Sequence, residues 1–263
     1  MKIITWNINS VRLRIQLVLN LLKNENPDVL CLQETKTPDE FFPRDAFEDA
    51  GYPYIHINGM KGYNGVAIIS KMPLSMPQIY HHCGNEDCRH IAATVGDTTI
   101  HNLYIPAGGY EADPLKNPKF QHKLDFVETL TDWFPQHHQK TDKVIAVGDF
   151  NIAPFENDVW SHKQMIKVVS HTPAETDRMA AMVDALDWVD VAREFVPMND
   201  KLYTWWSYRN KDWKKSNRGR RLDHVWVTQP LKSALLSHKV IPEARDWERP
   251  SDHVPVIVTL KDA

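Results

Sequence analysis

The chain has few of the features that mark secreted, membrane-spanning or repetitive proteins. Three cysteines in 263 residues are an odd number and too few for a disulfide framework. The longest apolar runs last only a handful of residues, far short of the roughly 20 that cross a bilayer. The first residues run directly into a predicted strand without a signal-peptide pattern. We therefore expect a protein of the reducing cytoplasm with no membrane partner.

Linkers and repeats are missing as well. The sequence has no Gly/Ser-rich linker, no low-complexity run and no repeat of solenoid period. The hydrophobic fraction of 42% and the charged fraction of 25% are ordinary globular values. A chain of this length can build one large core, and we expect a single domain over residues 1–263 that acts as a monomer.

The apolar patterns predict an α/β fold. Helical spacing predicts helices over 11–23 and 118–134, a short helix near 43–50, and mostly helical chain between 155 and 195. Short runs rich in β-branched residues predict strands at 2–9, 28–33, 65–70, 91–95, 99–104, 144–149, 203–208, 222–228 and 254–260. Many strands and few helices favour two packed sheets flanked by helices.

Several predicted strands end in carboxylate or amide side chains. The apolar run at 144–147 leads into Gly148, Asp149, Phe150 and Asn151. A carboxylate at the end of a buried strand costs free energy unless it is paired. The other residues of this kind are Asn7, Asn9, Glu34, Asp223 and Asp252. Any one of them could cap a helix or a turn, but their recurrence indicates that several strands deliver polar groups to one rim.

This oxygen-rich set is typical of a site for a hard divalent cation. Mg²⁺ commonly uses one or two carboxylates and keeps several waters, whereas zinc prefers Cys and His. His253 stands in a turn that enters a strand, where Asp223 could hold its imidazole charged. Such an imidazolium can stabilise a developing oxyanion. We interpret His224, in an alternating run, as an ordinary strand residue.

Seven short motifs occur along the chain in an order that resembles a known family. They are Trp6-Asn7-Ile8-Asn9, Leu32-Gln33-Glu34-Thr35-Lys36, Gly65-Val66-Ala67, Tyr104-Ile105-Pro106, Gly148-Asp149-Phe150-Asn151, Arg221-Leu222-Asp223-His224 and Ser251-Asp252-His253-Val254-Pro255. The chain resembles the exonuclease III family of abasic-site endonucleases, within the endonuclease/exonuclease/phosphatase superfamily. The resemblance implies a four-layer α-β-β-α sandwich of two mixed sheets and a DNA-repair phosphodiesterase.

The resemblance also implies a cofactor, a substrate and a metal site. The cofactor would be Mg²⁺, for which Mn²⁺ can substitute, and the substrate would be duplex DNA with abasic sites or blocked 3′ ends. Glu34 would be the principal metal ligand, with Asn9 and Asp252 near the metal directly or through water. Asn7 would form hydrogen bonds within the active site. Some relatives carry an acid at the position of Asn9, so metal contact there would be weaker.

The catalytic roles follow from the same resemblance. Asp149 would orient or deprotonate the attacking water, with Asn151 beside it. Tyr104 would contact the scissile phosphate or assist the leaving group. His253, oriented by Asp223, would hold the phosphate oxygen as negative charge builds on it. Together these groups supply the in-line water and charge stabilisation that phosphodiester hydrolysis needs.

A basic and aromatic segment predicts the DNA-binding surface. Residues 209–221 hold seven cations and one acid, a net charge of +6, although the whole chain carries −3. The alternative is a strand followed by a solvated hairpin tip. The predicted substrate-binding residues are Trp205, Leu222, Arg209, Lys211, Lys214, Lys215, Arg218, Arg220 and, more remotely, Arg89. The loop 106–118 and the segment 157–175 are further candidates.

The sequence departs from the family at the pocket for the abasic sugar. Some members carry an aromatic wall where this chain has Arg220, which leaves Trp205 and Leu222 as the apolar wall. Many relatives carry Asn or Gln where this chain has Ala107, so one possible phosphate donor is missing. These differences concern the substrate preference rather than the reaction.

Other functions stay open at this level. A related phosphohydrolase could act on RNA or on soluble or lipid phosphoesters, and a non-catalytic module could bind nucleic acid. The stretch 81–90, with two Cys and three His, could bind zinc, but we interpret it as a polar surface loop. The balance of abasic-site cleavage and 3′ trimming, and the number of metals, are not predicted.

Overall fold

The computed structural model describes residues 1–210 and 212–261, which form two six-stranded sheets with helices on both outer faces. The strands are β1 (Lys2–Asn7), β2 (Val29–Gln33), β3 (Tyr54–Asn58), β4 (Val66–Ser70), β5 (Ser75–His82), β6 (Asn85–Val95), β7 (Thr98–Tyr104), β8 (Val144–Asp149), β9 (Val189–Asp190), β10 (Asp223–Val227), β11 (Leu235–Val240) and β12 (Val256–Leu260). The first sheet has the order β11-β12-β1-β2-β4-β3 and the second has the order β5-β6-β7-β8-β10-β9.

Each sheet is mixed. In the first sheet β1 and β2 run parallel, and in the second sheet β7 and β8 do so. The remaining neighbours pair antiparallel. The predicted pair of mixed sheets is confirmed.

The helices are mostly short. They are α1 (Val11–Glu25), α2 (Arg44–Asp49), α3 (Pro118–His137), α4 (His162–Met165), α5 (Pro173–Leu186), α6 (Val191–Phe195), α7 (Trp213–Ser216) and α8 (Gln229–Lys232), with 3₁₀ turns at Asp39–Phe41, Glu156–Asp158 and Pro242–Asp246. None of the helices in the described part of the chain is long and apolar enough to span a bilayer.

Apolar side chains fill three layers of contact. Between the sheets, residues of β1 and β2 such as Ile3 and Val29 pack with residues of β8 and β10 such as Val147 and Val225. On the outer face of the first sheet, α1 and α2 cover Ile4 and its neighbours. On the outer face of the second sheet, α3 and α5 cover β8 and β10. The predicted four-layer α-β-β-α sandwich is therefore confirmed.

Two predicted local structures are wrong. The stretch 81–90 is not a surface loop, because it comprises the end of β5, a two-residue turn and the start of β6. The turn residues Cys83 and Gly84 both have positive φ, as a tight two-residue turn requires. The segment 203–208 is not a strand, because only Trp205 forms bridges, to Arg220 and to His253. The basic segment after it contains the short helix α7 rather than a hairpin tip.

Candidate active site

The ends of the central strands bring the predicted polar residues to one edge of both sheets. In the second sheet, Asp149 at the end of β8 lies beside Tyr104 at the end of the parallel β7. Asp223, the first residue of the antiparallel β10, lies directly opposite Asp149. In the first sheet, Asn7 ends β1 and Glu34 follows the end of β2. Sheet packing then places the two groups of side chains against each other.

Asn7 links the two sheets at this edge. Its Nδ2 donates to Glu34 Oε1 and to Asp149 Oδ2, each at 2.9 Å. Tyr104 donates its hydroxyl to the same Glu34 oxygen at 2.8 Å. Burial and the nearby Glu34 and Asp149 carboxylates raise the pKa of Tyr104 well above its usual value, so the phenol stays protonated and acts as a donor. Glu34 is thus fixed by two neutral donors.

A row of three buried side chains crosses the site. Asp223 Oδ2 lies 2.8 Å from His253 Nδ1, and His253 Nε2 lies 3.5 Å from Asp149 Oδ2. Thr204 donates its hydroxyl to Asp223 Oδ2 at 2.6 Å. Burial alone would lower the pKa of His253, but the Asp223 and Asp149 carboxylates raise it to about 10. His253 is therefore an imidazolium at neutral pH.

For Asp149, in contrast to His253, the surroundings disfavour the charged form. Burial, with the neighbouring Asp223 and Glu34 carboxylates, raises its pKa to about 7, against the lowering effects of His253 and Asn7. Asn151 donates from its backbone to Asp149 Oδ1 at 2.9 Å and from its side chain to Oδ2 at 3.1 Å. A carboxyl group with a pKa near 7 is suited to exchange a proton in neutral solution.

The three predicted metal residues lie together, and two of them, Glu34 and Asn9, already hold a cation. The Lys36 ammonium lies 2.7 Å from Glu34 Oε2 and 2.6 Å from Asn9 Oδ1. Asn9 in turn donates to Asp252 Oδ1 at 3.2 Å. Burial tends to raise the pKa of Glu34, but the Lys36 ammonium and the Asn7 amide lower it overall. Oxygen donors that hold an ammonium in this way fit a hard divalent cation.

A second group could also hold a metal. Asp149, Asp223 and His253 each have a ligand atom within 4.8 Å of the others, and all three side chains are buried. Both imidazole nitrogens of His253, however, already face carboxylate oxygens, and a proton on each nitrogen is what that arrangement favours. We therefore favour the Glu34, Asn9 and Asp252 oxygens as the metal site.

An open cleft of about 950 Å³ leads to these groups. Glu34, Tyr104, Asn151, Asp252 and His253 form part of its wall. Of the predicted substrate-binding residues, Trp205, Arg209, Arg218, Arg220 and Leu222 also line it. Aromatic and cationic side chains thus lie beside the polar site, as the sequence predicted.

Other predicted substrate residues lie elsewhere or are not described. Lys214 and Lys215 belong to α7, where the Lys214 ammonium pairs with Asp246 at 2.6 Å. Lys211 lies outside the described residues. Arg89 is not among the described residues that line the cleft. It pairs with Asp87 and stacks 4.8 Å from the Tyr104 ring, so it supports Tyr104 instead of standing on an open surface.

The zinc interpretation receives no support in residues 1–210 and 212–261. The group of three described above is the one close set of three or more metal-binding side chains found there, and it contains no residue of 81–90. Cys83 is exposed and Cys88 is buried, and both are free thiols. His224 is a buried strand residue whose Nε2 lies 2.8 Å from the Ile152 carbonyl oxygen, as expected.

Three supporting residues were missed at the sequence level. Thr204 holds Asp223, Ser251 donates its hydroxyl to the Asn7 carbonyl at 2.7 Å, and Lys36 joins Glu34 to Asn9. Thr204 and Ser251 are short polar residues of irregular segments, and such residues also occur at ordinary turns. Only Lys36, two residues after a predicted metal ligand, carried a local signal.

Comparison with known proteins identifies the relatives of this arrangement. Residues 4–253 match the Endonuclease/Exonuclease/phosphatase family. Exodeoxyribonuclease III of Haemophilus influenzae is 30% identical over 273 residues, which cover 99% of this chain and 100% of that protein.

Solved structures are also similar over the whole chain. An AP endonuclease from Archaeoglobus fulgidus has a TM-score of 0.92 and 30% identity, with 100% of both chains covered. A 3′ phosphatase from Neisseria, NExo, bound to a product DNA hairpin, has a TM-score of 0.91 and 32% identity, again with 100% of both chains covered.

Proposed function

The chain belongs to the endonuclease/exonuclease/phosphatase family and within it to the exonuclease III family, and on that premise we propose that it hydrolyses damaged duplex DNA with Mg²⁺ as its cofactor. The protein is a DNA-repair nuclease and therefore a hydrolase. We infer that it cuts the backbone 5′ to abasic sites and removes nucleotides or blocking groups from 3′ ends. Mn²⁺ can substitute for Mg²⁺ in this role.

One observation carries the proposal. The oxygens of Glu34 and Asn9 enclose a cation position, and Asp252 lies beside Asn9. The buried row of Asp223, His253 and Asp149 reaches the same edge of the sheets. A divalent cation at this position would neutralise a phosphodiester and stabilise a developing alkoxide.

Each residue of the site has its own role in the proposed reaction. Asp149, with a pKa near 7, accepts a proton from the attacking water, which Asn151 helps to orient. The His253 imidazolium donates to a phosphate oxygen as negative charge accumulates there. Tyr104, held as a neutral phenol, donates to the phosphate or to the leaving oxygen. Glu34, Asn9 and Asp252 would hold the metal.

A cleavage assay tests the proposal. The substrate is a duplex with a single tetrahydrofuran site, incubated with Mg²⁺ or with EDTA. We expect nicking 5′ to the site with Mg²⁺ and none with EDTA. Asp149→Asn removes the proton acceptor and His253→Ala removes the imidazolium, and each should lower kcat by at least about a hundredfold.

Two exposed residues provide matched controls. Asp184→Asn and His81→Ala change the same residue types outside the cleft and should keep the parental rate. Full activity in Asp149→Asn or His253→Ala, or no cleavage of either abasic or 3′-blocked duplexes with any divalent metal, would refute the proposal.

We also propose that the chain acts as a single-domain monomer in the cytoplasm. Its three cysteines are free, as in a reducing compartment. Sedimentation should give the mass of one chain, with or without DNA. A DNA substrate is favoured over soluble or lipid phosphoesters by the cationic cleft, and the buried acids argue against a non-catalytic binding module.

A further inference from the structure

Arg220 is a cationic residue of the cleft wall that has no carboxylate partner. Its Nη1 donates to Ser170 Oγ at 2.9 Å and to the Val169 carbonyl at 3.2 Å, and its guanidinium lies 5.0 Å from the Trp205 ring centroid. Within residues 1–210 and 212–261 it forms no ion pair, and its buried Nε has no hydrogen-bond acceptor. The direct contacts of this charge are therefore neutral dipoles and an aromatic face.

The next residue in the chain shows the opposite arrangement. The Arg221 guanidinium is buried and pairs with Asp158 at 2.9 Å and with Asp190 at 2.7 Å. Both carboxylates raise the pKa of Arg221 in spite of its burial. A buried charge normally requires such partners. The fold thus supplies two carboxylates to Arg221 and none to Arg220, whose side chain lines the cleft.

The acid that acts on Arg220 electrostatically is already committed. Glu175 pairs with the buried Lys123 ammonium and accepts from the backbone amides of Ser170 and Thr172. Burial lowers the pKa of Arg220, and Glu175 opposes this only in part. An anion that entered the cleft would therefore find a desolvated cation that can donate from Nη2.

Backbone pairing fixes where that anion would lie. Trp205 bridges Arg220 on one side and His253 on the other, both antiparallel, and Trp205 exchanges two hydrogen bonds of 3.0 Å with Arg220. Directly opposed residues project to the same face, with neighbouring chains about 5 Å apart. Arg220 is therefore two chains away from His253, with the Trp205 ring between them. That distance suits a group attached to the scissile phosphate rather than the phosphate itself.

We propose that Arg220 is a specificity-determining residue that binds a carboxylate carried by a blocked 3′ end, as in a 3′-phosphoglycolate ester. The inference rests on the proposed function, because it assigns the substituent on the phosphate that His253 would contact. In the reaction, the water oxygen bonds to phosphorus and the bond from phosphorus to the DNA 3′ oxygen breaks. One water proton goes to the 3′ oxygen, and phosphoglycolate departs.

Trp205 and Leu222 complete the pocket for such a fragment. The indole and the leucine offer apolar contact to the methylene group of the glycolate, and Nη2 of the guanidinium can donate to its carboxylate. An ester of the same length without the carboxylate would leave the guanidinium desolvated and unpaired. The pocket should therefore distinguish the two by charge rather than by size.

The test compares two 3′ ends that differ in whether the terminal group is a carboxylate. One DNA hairpin carries 3′-phosphoglycolate and the other carries the 3′-phospho-(2-hydroxyethyl) ester, in which an uncharged hydroxymethyl group replaces the carboxylate, and kcat/KM is measured on both with Mg²⁺. We expect the wild-type protein to prefer the glycolate roughly tenfold or more. Arg220→Met should bring the ratio close to one, and Arg220→Lys should give an intermediate ratio because the ammonium keeps the charge but not the planar group that lies on the Trp205 ring.

The readout is the ratio of kcat/KM on the two 3′ ends, since a structural role for Arg220 would lower both values together. Arg178→Met, at a half-buried arginine of α5 that pairs with Glu128 outside the cleft, is the matched control and should keep the parental ratio. With Ca²⁺ in place of Mg²⁺, the wild-type protein should bind the glycolate hairpin with a lower Kd than the hydroxyethyl hairpin. Arg220→Met should bring the two Kd values together. Equal rates on the two ends, or an unchanged ratio in Arg220→Met, would overturn the inference and leave the proposed function standing. Failure to cleave either end or an abasic duplex would overturn both.

Discussion

At the scale of single residues, the charge on His253 decides the chemistry of the site. The imidazole is buried, which disfavours its charged form, but it lies between two carboxylates. Thr204 fixes Asp223 by donating to the oxygen that faces His253. Asp223 therefore acts through His253, as a residue that sets its protonation and its orientation.

Replacement of Asp223 should lower the pKa of His253. Asp223→Asn removes one of the charges that raise this pKa to about 10, so the imidazole should lose its proton at a lower pH. The alkaline limb of the kcat/KM profile should then move down by at least about one pH unit. NMR titration of the His253 ring measures the same shift without turnover. An unchanged alkaline limb and ring titration in this variant would show that Asp223 does not set the charge.

The residues that we propose to act in the reaction were easier to place at the site than those that hold them in position. Asp149, Glu34 and His253 stand at strand ends in motifs that the family resemblance covers. Thr204 and Ser251 act through contacts between segments far apart in the chain. Such contacts depend on how the sheets pack, which a local pattern does not contain.

At the scale of elements, the close approach of β7 and β8 places Tyr104 beside Asp149. Gly148 has φ 140° in β8, and a Cβ atom added to it would lie 1.9 Å from the Leu103 carbonyl oxygen. Only glycine allows this approach. The residue before Asp149 is thus set by backbone packing, and it fixes the position of this carboxyl group.

Substitution of Gly148 should therefore destabilise the sheet. Gly148→Ala should lower the free energy of unfolding by about 3 kcal/mol or more, since both the contact and the positive φ become unfavourable. Gly96→Ala is the matched control, because φ is 62° there but nothing lies within 4 Å of the added Cβ, and it should cost about 1 kcal/mol. Urea denaturation measures both. Equal losses in the two variants would contradict the proposed backbone contact.

The elements that the sequence did not predict share a physical cause. β5 is an edge strand with mostly exposed residues, and β11 is a second edge strand of the same kind. Their pairing depends on one neighbour each, so neither needs the buried apolar run that revealed β8. The segment around Trp205 shows the opposite error, in which a strand was predicted but is not formed. Its aromatic residues predicted a strand, but only two bridges form, both at Trp205.

At the scale of the whole molecule, the second sheet buries three histidines in a row that ends at the half-buried His138 after α3. His82, His90, His101 and His138 are joined ring to ring by nitrogen contacts of 2.8, 2.9 and 2.8 Å. Burial and the neighbouring histidines lower the pKa of His90 and His101, and burial lowers the pKa of His82 to about 4. These rings are neutral in the folded protein at pH 7.

The row should make the protein sensitive to acid. A histidine whose pKa is lowered by folding contributes stability above its unfolded pKa of about 6.5, and this is lost as the pH falls toward the folded value. As the pH falls from 6.5 to about 5, each buried ring should lower the free energy of unfolding by roughly 2 kcal/mol. His90→Gln should reduce the slope of unfolding free energy against pH by about one proton, measured by urea denaturation.

The comparison between variants isolates the row from other titrating groups. Asp149 has a raised pKa, which gives a slope of the opposite sign, but this slope is common to both proteins. His81→Gln, at an exposed position of the neighbouring strand β5, should leave the pH dependence unchanged. An identical slope in His90→Gln and the wild type would contradict the neutral buried row.

The central claim is that acids from distant parts of the chain hold a divalent cation beside the Asp223–His253–Asp149 row. The most direct measurement is anomalous scattering from a crystal of the protein with Mn²⁺ and a duplex that carries an abasic site. The account predicts a peak bounded by Glu34 and by Asn9 or Asp252, with the scissile phosphate between the peak and His253, and its loss in Glu34→Gln. A peak among Asp149, Asp223 and His253, or none beside Glu34, would contradict it.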